Sequence, residues 1–130
     1  MSIERVNPTE LARPSGFSHA VIGHGPVILL AGQTALDASG RITGAGVVAQ
    51  FEVALGNLLT ALAAAGGRPD QLASLTIYVV DMDDYRHNGA ALGEVWRRLC
   101  GRDYPAMAAV GVSRLWDPGA LVEIQGMAVR

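Results

Sequence analysis

The sequence predicts one α+β domain in which a mixed β-sheet carries two helices on one face. The chain of 130 residues, 1–130, has the length of a single domain. Hydrophobic residues make up 50% of it, charged residues only 17%, and the mean hydropathy is +0.27, which excludes a disordered tail or linker. The spacing of apolar residues switches between that of strands and that of helices, which predicts the order β-β-β-α-β-α-β-β.

Three strands are predicted before the first helix. Residues 18–21 form a short extended run that ends at the turn residues 23–26, and residues 27–35 are rich in β-forming side chains. A second turn signal, 37–40, precedes residues 41–43, which we predict as a short returning strand.

The first helix is predicted over residues 47–65, where apolar side chains recur every three or four residues. Gly66 and Gly67 favour a helix end, and Pro69 prevents continuation. Residues 75–80 follow as a β-branched apolar run that is long enough for a buried strand.

The second helix is predicted to begin at the acidic residues 81–84, which supply N-cap candidates, and to end at Tyr104 and Pro105. Its apolar positions have helical spacing, and Arg97 and Arg98 lie near its carboxyl end, where cations are favourable. Residues 108–112 and 121–129 are the last two predicted strands.

The sheet face opposite the helices is too apolar to face open water. Leu29, Ala31, Val110 and Val112 fall on or near this face. Self-association in a closed symmetric oligomer is the usual way to cover such a surface. We therefore expect a homo-oligomer.

Charge and cysteine content exclude several classes of protein. All ten basic residues are arginine, which excludes a lysine Schiff base, and the net charge of −2 with dispersed basic residues argues against nucleic-acid binding. The single Cys100 excludes an intrachain disulfide and a multi-cysteine zinc site, and we predict no metal. Residues 1–10 lack a signal core and 53–67 fall short of the ~20 apolar residues of a membrane span, so a soluble cytoplasmic protein without membrane contact is expected.

Glu123 is the carboxylate most open to a functional interpretation, because it lies in a strand otherwise built for burial. Buried charges are usually paired, so one interpretation is a salt bridge at an edge strand or at a subunit interface. The other is a general acid or base in a cleft. His19 could line a pocket, although a partly buried structural role is the more common one.

Several segments together resemble the Rid family, also called RidA/YjgF. The similarity extends over about residues 12–129, and its most specific part is the Pro-Ala pair followed by the Gly-Ala-Leu-Val-Glu-Ile segment. The matching segments are Gly16–Ala20, Leu30–Gln33, Tyr78–Tyr85, Tyr104–Ala106 and Pro118–Ile124.

The resemblance implies a chorismate-mutase-like α+β fold and a homotrimer whose sheets face inward. It also implies small-molecule pockets at the subunit interfaces. The activity it implies is hydrolysis of reactive 2-imino or enamino acids to 2-keto acids and ammonia, without a cofactor.

The pocket implied by this resemblance is altered at three positions. Met107 stands where the family's deaminases carry an arginine that binds the substrate carboxylate, Phe17 where they usually have tyrosine, and Ala31 where they often have serine. Glu123, which positions water or relays protons in the family, is retained, as are Gly32 and Gln33. The resemblance thus implies Glu123 as the catalytic residue and a more apolar pocket for a different ligand.

Three hypotheses follow. The first is an enzyme that uses Glu123 on a non-standard carbonyl, imine or enol. The second is a 2-imino acid deaminase in which Arg13, Arg114 or an arginine of a neighbouring subunit replaces the missing one. The third is a non-catalytic ligand-binding protein. The substrate-binding residues we expect are Phe17, Ala31, Gly32, Gln33, Met107 and Arg114.

Overall fold

The computed structural model describes residues 3–130 and has six strands and three α-helices within that range. A 3-10 turn, Pro69–Gln71, precedes the fourth strand. The elements are, in chain order, β1 Ile3–Val6, β2 Ala20–Gly23, β3 Val27–Gln33, α1 Val47–Ala64, β4 Leu72–Val79, α2 Met82–His87, α3 Gly89–Cys100, β5 Ala106–Gly111 and β6 Val122–Val129.

The main sheet has four strands in the order β3-β6-β4-β5. β6 pairs antiparallel with both β3 and β4, whereas β4 and β5 run parallel, so the sheet is mixed as predicted. β1 and β2 form a separate antiparallel pair. The last strand of the chain therefore lies inside the sheet, between two strands that precede it.

The helices cover one face of this sheet, as the sequence predicts. The core is formed by the inward side chains of β3, β4 and β6 together with apolar residues of α1 and α3. Leu55, Leu58 and Leu62 of α1 are 0% exposed. Burying a leucine side chain contributes roughly 1.5–3 kcal/mol, so this face supplies much of the stability of the single chain.

The prediction of a strand at 41–43 is wrong. Its only ladder contact is an isolated bridge between Leu36 and Ile42. The Asp37 carboxylate instead accepts hydrogen bonds from the Ser39 side chain and from the backbone N–H groups of Ser39 and Arg41, which closes a tight turn. The Ser39 hydroxyl is the main reason that the pKa of Asp37 is lowered. The third strand before α1 is instead β1, which the sequence analysis missed.

The predicted second helix is divided in two. Asp81 is the N-cap of α2, since its carboxylate accepts the Asp84 N–H at 3.1 Å, as expected. The helix is interrupted at Asn88, which ends α2 and begins α3. Gly101, at φ +80°, ends α3 three residues earlier than predicted, because a left-handed residue stops helical hydrogen bonding.

Buried Gln50 of α1 fixes the loops at one end of the sheet. Its amide nitrogen donates to the Gly119 carbonyl at 3.1 Å, and its amide oxygen accepts the Leu121 N–H at 2.8 Å. The chain therefore enters β6, the strand that carries Glu123, from a fixed position.

α1 is also the one helix within residues 3–130 that is long and apolar enough to cross a membrane. Its apolar side chains are the centre of the core described above. A core helix can meet the same criteria of length and composition, so this feature is explained by packing.

Candidate active site

Glu123 lies on the sheet face that the helices leave uncovered, which we call the open face. Its neighbours along β6, Val122 and Ile124, are fully buried on the helix side, and Glu123 itself is half-buried. Tyr78 of β4 is its direct cross-strand partner, and the Tyr78 hydroxyl donates to the Gln125 side chain at 2.9 Å. The carboxylate thus lies in the middle of the sheet rather than at its margin.

A β-bulge in β3 brings Gly32 against the Glu123 side chain. The register between β3 and β6 shifts between Leu30 and Gln33, so Ala31 and Gly32 form the bulge. A Cβ at Gly32 would overlap the Glu123 Oε2 and lie 2.9 Å from its Cδ. Gly32 does not have a positive φ, so glycine is required here for space rather than for backbone conformation.

Within residues 3–130, the Glu123 side chain has neither an ion pair nor a hydrogen bond. The interpretation as an edge-strand salt bridge is wrong, because β6 is an interior strand. The interpretation as an interface salt bridge and the interpretation as an acid or base both stay predictions. A half-buried carboxylate with free lone pairs can bind a donor or accept a proton.

Phe17 and Met107 meet at a different place. They line a cavity of about 300 Å³ together with Ser18 and His19, at the start of β5. The rings of Phe17 and His19 are in edge-to-face contact at 5.1 Å, and a His19 ring nitrogen lies 2.8 Å from the Ala12 carbonyl oxygen. His19 is thus a half-buried residue at the wall of a pocket. We call this space the Phe17 cavity.

Met107 points towards the helix side of the sheet, away from the open face that carries Glu123. It is paired in register with buried Leu75 and packs against the core. A single chain therefore brings Glu123, Gly32 and Ala31 together but does not add Phe17 or Met107 to them. Grouping these residues in one pocket stays a prediction about the assembly.

The remaining predicted site residues are dispersed. Gln33, which follows the bulge, lines a cleft beside α1 with Asn57 and Thr60. Arg114 is exposed in the loop before β6, and Arg13 lines a separate surface cavity formed by residues 7–14. Neither arginine lines the Phe17 cavity, and neither lines the second cavity that Met107 borders, which is described next.

The sequence analysis missed a larger cavity on the helix side, which we call the α3 cavity. It has a volume of about 590 Å³ and is bounded by α2, α3, single residues of α1 and β4, residues 104–107 and residues 15–16. Arg97, predicted only as part of an exposed helix end, lines it together with Trp96 and Met107. Gly89, Gly93 and Arg97 follow at four-residue spacing, which places them on one helix face, and this spacing could have indicated a cavity beside a cation.

Two groups in or near the α3 cavity have altered acidity. Burial raises the pKa of the Tyr85 hydroxyl to about 12 and that of the Cys100 thiol to about 12. Both groups therefore stay protonated near neutral pH. Tyr85 is then a neutral hydrogen-bond donor, and Cys100 is not a nucleophile.

Within residues 3–130, no cluster of three or more His, Cys, Asp or Glu side chains could hold a metal ion. On the open face, the Glu123 carboxylate has Tyr78 as its cross-strand neighbour and Gln125 two residues along the same strand.

Comparison with known proteins places this architecture in a family. The family model described as Endoribonuclease L-PSP matches residues 8–130. A RutC family protein of Pyrococcus horikoshii is 32% identical over 119 residues, which cover 91% of this chain and 90% of that protein. The mouse 2-iminobutanoate/2-iminopropanoate deaminase is 34% identical over 104 residues, 79% of this chain and 73% of its own.

A solved structure agrees over the full length of the chain. The crystal structure of a Rid family protein of unknown function from Yersinia pestis has a TM-score of 0.89 and 33% identity, and covers 100% of both chains. The α+β fold expected for the family is therefore confirmed. With the family model matching nearly the whole sequence, this chain belongs to the Rid (RidA/YjgF) family.

Proposed function

We propose that this protein is a cofactor-free enzyme of the hydrolase or isomerase type, with Glu123 as acid or base on a small carbonyl, imine or enol. One observation carries the proposal: the Glu123 side chain lies on the open face without an ion pair or hydrogen bond within residues 3–130, next to a glycine that leaves room for its carboxylate. A structural carboxylate in this position would be expected to have a partner.

A homotrimer is part of the proposal. Leu29 is 77% exposed, Val27 59%, Met127 40% and Val110 39%, and the first three belong to the neighbouring strands β3 and β6. Contiguous exposed apolar surface of this kind marks an interaction site. The three-fold symmetry is expected from the family, whereas the apolar surface supports self-association of any order.

The proposed pocket is completed by a second copy of the chain. Glu123, Gly32 and Ala31 come from one subunit, and the Phe17 cavity with Met107 comes from the next. Met107 lines the Phe17 cavity but is directed away from Glu123 of its own chain. In the proposed homotrimer, two neighbouring subunits can therefore bring Glu123 of one and Met107 of the other into the same pocket.

The alternative is a 2-imino acid deaminase, the activity for which the mouse relative is named. This activity needs an arginine that binds the substrate carboxylate, and the uncharged side chain of Met107 cannot replace it. Losing a charge-assisted hydrogen bond of ~1.5–3 kcal/mol lowers binding roughly 10- to 100-fold. We therefore expect little hydrolysis of 2-iminobutanoate.

Two assays separate these proposals. The first follows 2-iminobutanoate generated by a coupled dehydratase, and the second follows loss of enol absorbance from methyl phenylpyruvate, an uncharged enol. We expect acceleration of the second reaction, and in Glu123→Gln a loss of ~100-fold or more with the assembly intact. The double variant Glu123→Gln with Gln125→Glu moves the carboxylate by two residues on the same strand face, and it should be as inactive as Glu123→Gln.

The outcomes are distinct. Efficient 2-iminobutanoate hydrolysis would favour the deaminase. No acceleration of either reaction would favour the third hypothesis, a ligand-binding protein. Dissociation of Glu123→Gln into monomers would show that Glu123 is an interface salt bridge. Ribonuclease activity, suggested by the name of the family model, is not proposed, because the chain has a net charge of −2 and dispersed arginines.

A further inference from the structure

Trp116 has the most exposed large apolar side chain in the described part of the molecule. It is 93% exposed, compared with 77% for Leu29. Within residues 3–130, its indole has neither a ring contact nor a hydrogen bond. Tryptophan is enriched at interaction sites because its ring has a large apolar face beside a polar N–H. The single chain thus presents to solvent a side chain that is well suited to bind a ligand or a partner.

The loop that carries Trp116 is held by hydrogen bonds on its far side. The carboxylate of the next residue, Asp117, accepts the Thr34 hydroxyl at 3.0 Å, and the Asp117 carbonyl accepts the Ala120 N–H at 2.9 Å. Gln50 holds the residues that follow, up to the start of β6, as described above. A side chain on a backbone ordered in this way loses less conformational freedom on binding than one on a mobile loop.

These hydrogen bonds place the loop at the corner of the sheet where Glu123 lies. Residues 113–121 join the end of β5 to the start of β6, and Glu123 is the second residue of β6. Thr34, which is bonded to Asp117, comes two residues after Gly32, and Gly32 adjoins the Glu123 side chain. Two residues of chain span at most about 7 Å. Trp116 therefore follows the chain into an anchor that lies close to the glycine beside the carboxylate.

The residues of the bulge beside Glu123 cannot hold a ring in position. Gly32 has no side chain and Ala31 has only a methyl group. A carboxylate can move a proton, but it does not orient the apolar part of a ligand. The Trp116 indole supplies a flat apolar surface at the same corner. Aromatic rings stack on one another in offset or edge-on arrangements, so such a surface favours a planar ligand over a puckered one of similar size.

We propose that Trp116 is a specificity-determining residue of the Glu123 site and selects ligands in which the carbonyl, imine or enol is conjugated to an aromatic ring. The ring of the ligand stacks on the indole, and the conjugated group extends towards the Glu123 carboxylate. This inference rests on the proposed function, because it assigns the ligand class of the same site. The two have different requirements, since ring binding depends on Trp116 and turnover depends on Glu123.

Binding is tested with cinnamamide, a planar uncharged amide, and with 3-cyclohexylpropanamide, its saturated counterpart. The chain has two tryptophans, so comparison with Trp116→Phe identifies the Trp116 indole N–H signal in proton–nitrogen NMR. We expect cinnamamide to shift this signal saturably, together with the backbone N–H signals of Ala31 and Gly32. Cinnamamide should bind at least about fivefold more tightly than 3-cyclohexylpropanamide, as expected for ring stacking.

Two substitutions at Trp116 separate stacking from general apolar contact. Trp116→Leu should remove the preference for cinnamamide, because leucine keeps apolar surface but has no ring face. Trp116→Phe should retain the preference. Leu11→Ala is the matched control, because Leu11 is 51% exposed and lines a separate surface cavity, and it should leave the affinity for cinnamamide unchanged.

Turnover is tested separately with methyl phenylpyruvate. Trp116→Leu should raise KM at least about fivefold and keep kcat within about twofold, since the indole contacts the ring and not the reacting group. Glu123→Gln should show the opposite pattern, with loss of kcat and with cinnamamide binding retained.

The two proposals fail in different ways. Cinnamamide binding at Trp116 in a protein that turns over neither substrate would support the inference and would count against catalysis by Glu123. Turnover of methyl phenylpyruvate with an unchanged KM in Trp116→Leu would overturn the inference and leave the proposed function intact.

Three further results would overturn the role of Trp116. Equal affinity of the wild type for the two amides would show that the site does not select planar ligands. A shift of the Trp116 signal without shifts at Ala31 and Gly32 would show a surface contact away from Glu123. Dissociation of Trp116→Leu into monomers would show that Trp116 is an interface residue.

Discussion

The two faces of the main sheet both carry leucines of β3, but those leucines have different surroundings. On β3, Leu30 is 5% exposed under the helices, and Leu29, the next residue on the other face, is 77% exposed. Alternation along a strand places both leucines by the same rule. Leu29 and Leu30 are the same residue type, so their different contributions to the stability of the single chain come from what covers each of them.

This difference separates stability from function. The helix-covered face contains the continuous core, and its strand side chains are nearly all aliphatic. The open face mixes exposed apolar residues with Glu123, Tyr78 and Gln125. A carboxylate is tolerated there because the chain leaves it half-exposed, accessible to water or to a partner.

The largest expected effect comes from truncating the covered face. Leu30→Ala should lower the free energy of unfolding by about 2–5 kcal/mol, since it leaves a cavity under α1. Urea denaturation measures this at several protein concentrations. Leu29→Ala is the matched control, and its effect should disappear on dilution, where the proposed assembly should dissociate. Equal losses for both variants at low concentration would contradict the comparison.

Substitutions on the open face should disrupt self-association rather than folding of the single chain. Leu29→Arg inserts a charge into the apolar surface of the proposed homotrimer, so light scattering should show a species with the 13.6 kDa mass of the single chain. Leu11→Arg is the control, because Leu11 is 51% exposed and lies away from the sheet. A wild-type protein that is itself monomeric at micromolar concentration would disprove self-association.

The contact between Gly32 and Glu123 should be visible as an energetic coupling. Gly32→Ala should cost about 1–3 kcal/mol of stability, as overpacking does, because the new methyl group overlaps the carboxylate. In a Glu123→Ala background the cost should fall below about 0.5 kcal/mol, the limit for independent surface changes. Gly111→Ala, whose Cβ would be 4.0 Å from the Val79 carbonyl, is the control.

The smallest effect concerns Cys100 on the covered side. Its pKa is raised by burial to about 12, above the ordinary value of 9.0, so the folded state favours the protonated thiol. The resulting stability is present below pH 9 and is lost as the pH rises from 9 towards 12. A thiol reagent should label the native protein slowly at pH 8 and rapidly in urea. Fast labelling of the native state would show that Cys100 is accessible.

The sequence predicted most elements because their signals are local. Helical spacing and a glycine end identified α1 to within one residue, and the Asp81 cap identified the start of α2. The break at Asn88 and the strand β1 were missed. β1 has four residues and only one of them is buried. Its sequence therefore shows little of the apolar and polar alternation that would predict its pairing with β2.

The candidate site was predicted unevenly. Glu123 was identified because a charge in an apolar strand is unusual, and Gly32 came from the resemblance to the Rid family. Their contact was not predictable, because it depends on the bulge in β3 that shifts the register against β6. Arg97 was overlooked because the residues that line the α3 cavity with it come from five other segments of the chain: residues 15–16, α1, β4, α2 and residues 104–107.

By itself, the sequence determined the fold class, the location of the amphipathic helix faces and the unusual position of Glu123, because periodicity and turn chemistry are properties of neighbouring residues. Only the tertiary structure decided that β6 is an interior strand, that Met107 lies on the opposite face from Glu123, and that a cationic cavity opens beside α3. These features depend on strand order and register. Strand order is set by contacts between residues far apart in the chain, and a local pattern does not encode those contacts.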